Sequence, residues 1–241
     1  MKSKFSYVFT ALAATFVFQA AQAEDLEVYG KAGIPGVGVG VGYGVSDNVT
    51  VRGDLTTLGN IKRDFHYRAF DFDAKLKTNK LNVHADYFPM EDNAFRLTTG
   101  LGFGKTSLEA TGKSDSSSKQ TFKLGGKTYE VNLTGNDTLD VEVKYPAVSP
   151  YFGIGWGHDV KRKKAGEWGF SADLGFYAGK PKTTVSINSD LRQKLVDSQG
   201  GTEAAVKELD SRLAQETEKV KDKVEKYKVI PVVNFGVTYH F

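Results

Sequence analysis

The chain contains no cysteine among its 241 residues. Without thiols it has neither a disulfide framework nor a thiolate metal site. Charge of one sign is also missing, since 32 Lys and Arg stand against 29 Asp and Glu, a formal net charge of +3. Taking away the first 23 residues removes Lys2 and Lys4 and no acidic group, leaving +3 − 2 = +1. No basic field of that size attracts phosphate backbones, so nucleic acid is not an expected partner. Beyond the N-terminal segment no apolar run approaches the ~20 residues that a spanning helix needs. A chain of this kind crosses a membrane only as a closed barrel, the other structure that satisfies every backbone group in lipid. Proline is scarce, at 6 residues, while Gly reaches 26 and aromatics 12%. That balance suits an all-β chain with aromatic girdles.

What is present is alternation. Val37, Val39, Val41, Tyr43 and Val45 stand against Gly36, Gly38, Gly40, Gly42 and Gly44, a two-faced strand because successive side chains point to opposite sides. Gly38-Val39-Gly40 contains a G-x-G, but a turn and another strand follow instead of the helix a phosphate loop requires. Reading on in the same way gives eight strands, at 36–45, 49–57, 65–76, 81–88, 94–105, 148–157, 167–177 and 229–241. Residues 25–33 form a short alternating lead-in, and 58–64 a loop. At 77–80 the apolar row changes from even to odd numbers, which is read as a hairpin, with a β-bulge in one long strand as the alternative. In that alternative the lead-in supplies the missing strand and the count stays at eight. Two long excursions interrupt the pattern, at 105–147 and 178–228. The first holds a candidate hairpin near Phe122 and Leu133. The second carries Val206, Leu209, Leu213, Val220 and Val224 at helical spacing, predicting one amphipathic helix over 202–228 that covers something local.

The two ends complete the pattern. Lys2 and Lys4, an apolar stretch over 5–18, and Ala21-Gln22-Ala23 read as a cleaved signal peptide, 1–23, that exports the chain through the inner membrane. At the other end Phe241, Tyr239, Val237 and Phe235 form an apolar row, opposite His240, Thr238, Gly236 and Asn234. A last strand ending on Phe, after a signal peptide and an even number of alternating segments of about ten residues, resembles small Gram-negative outer-membrane β-barrels of the OmpA/OmpX type. The resemblance implies one domain, 24–241, without a periplasmic domain. It also implies a closed antiparallel up-and-down transmembrane β-barrel located in the cell outer membrane. Outer-membrane lipid and lipopolysaccharide would surround it, and Phe241, Tyr239, Val237 and Phe235 would be read by the barrel-assembly machinery. Both long excursions then fall on the outer side.

The inward rows carry Arg52, Asp54, Asp71, Asp73, His84, Asp86, Arg96 and Asp173, expected to form a charge network in the lumen, with Lys75, Tyr151, Asn234 and His240 beside them. An eight-stranded lumen is just wide enough for side chains to fill it. His84 with Asp86, and His158 with Asp159, lack the serine that a barrel lipid deacylase places beside its histidine. No enzyme activity, cofactor or metal site is therefore expected. The expected role is structural or surface interaction, with an extracellular partner bound by the loops. A narrow porin-like channel is the alternative, and a soluble periplasmic lipocalin-like ligand binder the second.

Overall fold

The computed structural model describes residues 25–67, 70–114, 119–224, 226 and 228–241; the expected signal peptide lies outside them. Twelve strands are present among these residues. They are β1 (Leu26–Ile34), β2 (Gly36–Ser46), β3 (Val49–Tyr67), β4 (Phe70–Tyr87), β5 (Phe95–Ser114), β6 (Lys119–Leu124), β7 (Lys127–Asn132), β8 (Thr138–Lys144), β9 (Val148–Trp156), β10 (Trp168–Ala178), β11 (Lys182–Ile187) and β12 (Val229–His240). Each of eight strands pairs antiparallel with its successor, in the order β1, β2, β3, β4, β5, β9, β10, β12, and β12 pairs back onto β1. These eight strands therefore close into a barrel-like ring.

The lead-in is thus a full strand, and the hairpin expected at 77–80 does not exist. β4 runs unbroken, and its register with β5 is continuous from Phe70↔Ser114 to Tyr87↔Leu97. Even-numbered residues of β4 point inward along its whole length. What changes near residue 78 is the surroundings. Below it the inward row is Lys80, Asn82, His84 and Asp86, with Leu81, Val83 and Tyr87 exposed outside. Above it the inward row is Phe70, Phe72, Ala74 and Leu76, with Asp71 and Asp73 exposed outside. A bulge does occur, but in β3, where the register to β4 shifts between Thr57 and Gly59. β3 continues past it to Tyr67, through the residues expected to form a loop.

The connections differ at the two ends of the ring. At one end β2–β3, β4–β5 and β9–β10 are joined by short turns. At the other, β3, β4 and β5 project beyond the ring, β8 pairs onto the projecting part of β5, and β11 pairs onto β8. This loop end is closed by the β6–β7 hairpin and by two helices, α1 (Ser189–Asp197) and α2 (Glu203–Val224), in place of the single helix expected. Asn188 caps α1 by accepting from the Leu191 N–H at 3.1 Å, and Thr202 Oγ1 accepts from Ala205 N–H at 3.2 Å to start α2. Between them Gly200 and Gly201 adopt φ of +92° and +66°, the left-handed geometry that ends a helix at low cost to glycine. Gly201 N–H closes that end onto Val196 O at 3.0 Å.

Two cores result. The loop-end core is apolar, packing Phe70, Phe72, Leu124, Leu133, Leu195 and Leu209 between sheet, hairpin and helices. Inside the ring the core is polar. The outer face of the ring carries exposed Val39, Leu55, Val83, Leu101, Ile154, Leu174 and Val233. Tyr43, Tyr87, Trp156 and Trp168 are exposed toward the turn end, with Trp168 and Tyr239 5.1 Å apart and Tyr239 and Phe241 5.0 Å apart. Among the described residues no helix is long and apolar enough to cross a membrane.

Candidate functional site

Three aspartates organise the interior of the ring. Asp54, on β3, accepts from Lys31 Nζ at 2.8 Å, Tyr29 Oη at 3.0 Å, Thr56 Oγ1 at 2.8 Å and Asn82 Nδ2 at 2.7 Å. His84 Nε2 approaches it at 3.6 Å. Asp86, on β4, accepts from Arg52 through Nε and, at 3.1 Å, through Nη2, and from Thr98 Oγ1 at 2.6 Å. Asp173, on β10, accepts from Arg96 Nη2 at 2.8 Å, with Arg52 Nη2 at 3.4 Å. Arg96 Nη1 lies 3.6 Å from Asp86, which ties the second and third groups together. Three carboxylates therefore meet three cations, Lys31, Arg52 and Arg96. All six are buried, where an unpaired charge is costly and a fully hydrogen-bonded pair is tolerated.

Space for these side chains comes from the glycine rows. A Cβ on Gly40 would lie 2.5 Å from Tyr29 Cζ and 2.6 Å from Asp54 Cβ. On Gly175 it would lie 2.6 Å from the Tyr151 hydroxyl. Tyr151 in turn packs edge-on to His84, ring centroids 4.7 Å apart.

Toward the loop end Lys80 is buried, with Ser149 Oγ at 3.5 Å and the Tyr177 ring centroid at 4.9 Å. Toward the turn end Glu27 pairs with His158 Nδ1, and His240 Nε2 lies 3.8 Å from it. His158 belongs to the β9–β10 connection, which folds across that end with a 3-10 turn at Val160–Arg162. Arg162 fastens the connection to the other two turns, donating to Met90 O and Asn93 O at 2.9 Å and to Asp47 O at 3.1 Å.

Of the residues expected in the lumen, the structure brings together Arg52, Asp54, His84, Asp86, Arg96 and Asp173. Asp71 and Asp73 are a correction: both stand on the outward row of β4, above the level where its surroundings invert. Asp71 there meets His66 Nδ1 at 2.8 Å. Reading their row as inward followed from treating the polar side as the lumen side, which holds only where the outside is apolar. Lys75 shares that outward row. Phe235, Val237 and Tyr239 lie along the outer face of β12, and Phe241, just past its end, donates its N–H to Leu26 O at 2.9 Å. His158 pairs with Glu27 rather than with Asp159. Glu27, Tyr29, Lys31, Lys80, Asn82 and Thr98 are interior residues that sequence reasoning passed over. The signal for the first three was the polar row alternating with Leu26, Val28 and Gly30.

A second site lies at the loop end. A cavity of about 330 Å³ is lined by Phe65, Phe70, Phe72, Leu124, Val141, Ile187 and Val220, with Lys123 and Glu216 beside them.

No protein-family model matches the chain, and no curated protein matches its sequence. Solved structures do share its fold. Acinetobacter baumannii CarO2 superposes with a TM-score of 0.58 at 18% identity, covering 91% of this chain and 100% of its own. A. baumannii CarO gives 0.54 at 17% identity, covering 90% and 98%.

Proposed function

We propose that the chain is an integral outer-membrane β-barrel protein with a sealed lumen, whose activity resides in the capped outer half and takes the form of surface interaction. One observation carries this reading: the outward face is apolar around the ring and turns polar where β3, β4 and β5 continue past it, while their inward face does the reverse. A soluble sandwich or a lipocalin-like binder gains nothing from a ring of exposed Val, Leu, Phe and Trp, whereas lipid rewards it. The turn end with its Tyr and Trp side chains then faces the periplasm, and the helices and hairpin face outward. Likeness in fold to CarO, an outer-membrane β-barrel protein, supports a barrel in the outer membrane. Lipid and lipopolysaccharide surround the belt, and the barrel-assembly machinery reads the last strand during biogenesis.

The sealed lumen follows from saturation. Arg52, Arg96, Asp54 and Asp86 are each no more than 2% exposed, and opening a path between them would separate buried opposite charges. No catalytic role is assigned, because Asp54, Asp86 and Asp173 are held by Lys31, Arg52 and Arg96 instead of facing a reacting group. A narrow solute path is the second reading, favoured by Lys80, an interior cation whose recorded polar contact is a hydroxyl.

Two measurements on the outer-membrane fraction separate these readings. The protein should migrate differently in gels with and without boiling, and purified protein in planar bilayers should add no steady conductance. Discrete, solute-selective openings would replace the sealed reading with the channel. A periplasmic, heat-unmodifiable protein would overturn both.

A further inference from the structure

Just above the apolar belt, the outer wall carries lysines that the interior network does not use. Lys77 on β4 pairs in register with Ser107 on β5, Ser107 with Lys144 on β8, and Lys144 with Lys182 on β11. One level up, Lys62 on β3 lies directly opposite Lys75 on β4, and one level down Lys105 lies opposite Asn79. Six lysines and two glutamates, Glu109 and Glu142, share this outward patch, a net charge of +6 − 2 = +4. Lys77 and Lys144 are paired with those glutamates, at 2.8 and 2.7 Å. Among the described residues Lys62, Lys75, Lys105 and Lys182 make no ion pair within 4 Å, although Lys75 lies directly opposite Glu109 on β5. Like charges directly opposite on neighbouring strands are unfavourable; besides the acidic pair Glu109↔Glu142, two lysine pairs occur here, Lys62↔Lys75 and Lys144↔Lys182. An anion between them reverses the sign of that interaction.

Directly below the patch an open groove of about 500 Å³ runs between Val37, Val39, Leu55, Thr57, Asn79 and Leu81. It forms where β2 stops at Gly36 while β3 and β4 continue, beside the bulge that follows Thr57. Its volume falls in the range of about 300–1,000 Å³ of small-ligand sites. Its walls are aliphatic, with one polar pair, Thr57 Oγ1 donating to Asn79 Oδ1 at 2.7 Å.

We propose that this face of β3, β4, β5, β8 and β11 binds a phosphorylated glycolipid of the outer leaflet, its phosphates on the free lysines and one acyl chain in the groove. The inference rests on the membrane placement proposed above. Anionic headgroups attract cations at the lipid–water boundary, and the groove takes the chain on the lipid side of that boundary. An extracellular protein would reach the lysines but not the groove, and a neutral lipid would leave the lysine pairs opposed.

The test titrates detergent-solubilised, folded full-length protein with bis-phosphorylated lipid A, counting bound lipid by native mass spectrometry. Dephosphorylated lipid A and phosphatidylglycerol serve as comparisons. One bound lipid A is expected. The affinity should fall roughly tenfold or more in K62E/K75E/K105E, given about tenfold per 1.4 kcal/mol and about 1 kcal/mol per surface cation. Thr57→Trp, which fills the groove, should weaken binding while leaving its dependence on phosphate. Equal binding of dephosphorylated lipid A or of phosphatidylglycerol would overturn the proposal, as would an unchanged affinity in the triple variant. If K62E/K75E/K105E does not fold by gel mobility, K62Q/K75Q/K105Q takes its place with the same expected direction. Wild-type protein that never reaches the membrane fraction refutes the membrane placement and this site with it. Protein that inserts but ignores the lysines refutes this site alone.

Discussion

Asp86 and Asp71 are the same residue type on the same strand, and the fold gives them opposite surroundings. Asp86 is fully enclosed and shared by Arg52, Arg96 and Thr98. Asp86→Asn leaves two buried guanidiniums with one full carboxylate between them. It should cost about 3–5 kcal/mol, the usual penalty for breaking a buried pair from one side. Asp71→Asn, at an exposed position, should stay within about 0.5 kcal/mol. Urea unfolding of the two variants in detergent micelles measures the difference, and equal effects would place Asp86 outside any network. Gly40→Val tests the complementary point: the added side chain collides with Tyr29 and Asp54, so folded yield should fall sharply, which the mobility of unboiled samples reads. The pairing partners themselves were legible in the sequence only as members of inward rows. Which aspartate meets which arginine depends on register across strands as far apart as Arg52 and Asp173, and periodicity carries no register between distant strands.

At the scale of elements, alternation located seven of the ring strands but left β1 as a lead-in and missed the unity of β4. A change of parity in the apolar row has three physical causes: a turn, a bulge, or an exchange of the media on the two sides of the strand. Sequence reasoning weighed the first two, and the third occurs. The same exchange explains why Asp73 and Lys75 were assigned to the lumen, and why Leu58 and Ile61 read as loop. The outer half was legible in part: helical spacing marked Leu209 and Leu213, while α1 fell inside a polar approach whose Leu191 and Leu195 make too short a pattern to stand out. Leu209 is 1% exposed beneath α2. Leu209→Ala should loosen the cap by about 2–5 kcal/mol, raising protease sensitivity of the outer half while leaving heat-modifiable mobility intact; loss of that mobility would mean the halves fold as one unit. α2 is also fastened by Glu208, which accepts from Lys127 Nζ at 2.8 Å and Arg212 Nη2 at 3.3 Å. Hydrogen bonds from those two cations hold its carboxyl below the ordinary 4.5. A carboxyl lowered on folding contributes above its ordinary value and loses that contribution as pH falls through the folded one. Proteolysis of α2 should therefore accelerate on acidification below about pH 4.5, and a flat profile, or an unchanged one in Glu208→Gln, would contradict the clamp.

For the whole molecule the polar and apolar faces exchange where β3, β4 and β5 continue past the ring, and that level marks the proposed boundary of the membrane. Deleting Phe241 removes a residue whose N–H and ring join β12 to β1 and Tyr239, so membrane levels should drop; normal levels would argue against recognition of the last strand. The absence of cysteine makes the boundary itself measurable. Single cysteines placed along the outward row of β4, at Asp73, Lys75, Lys77, Asn79, Leu81, Val83 and Ala85, would be labelled with a fluorophore in protein reconstituted into vesicles carrying lipid-borne quencher. Strong quenching at 81, 83 and 85, falling away at 73, 75 and 77 with the change near 79, is the expected profile. Uniformly weak quenching along the row, or quenching that stays strong at Asp73 and Lys75, would show that the inversion in β4 does not mark a membrane surface.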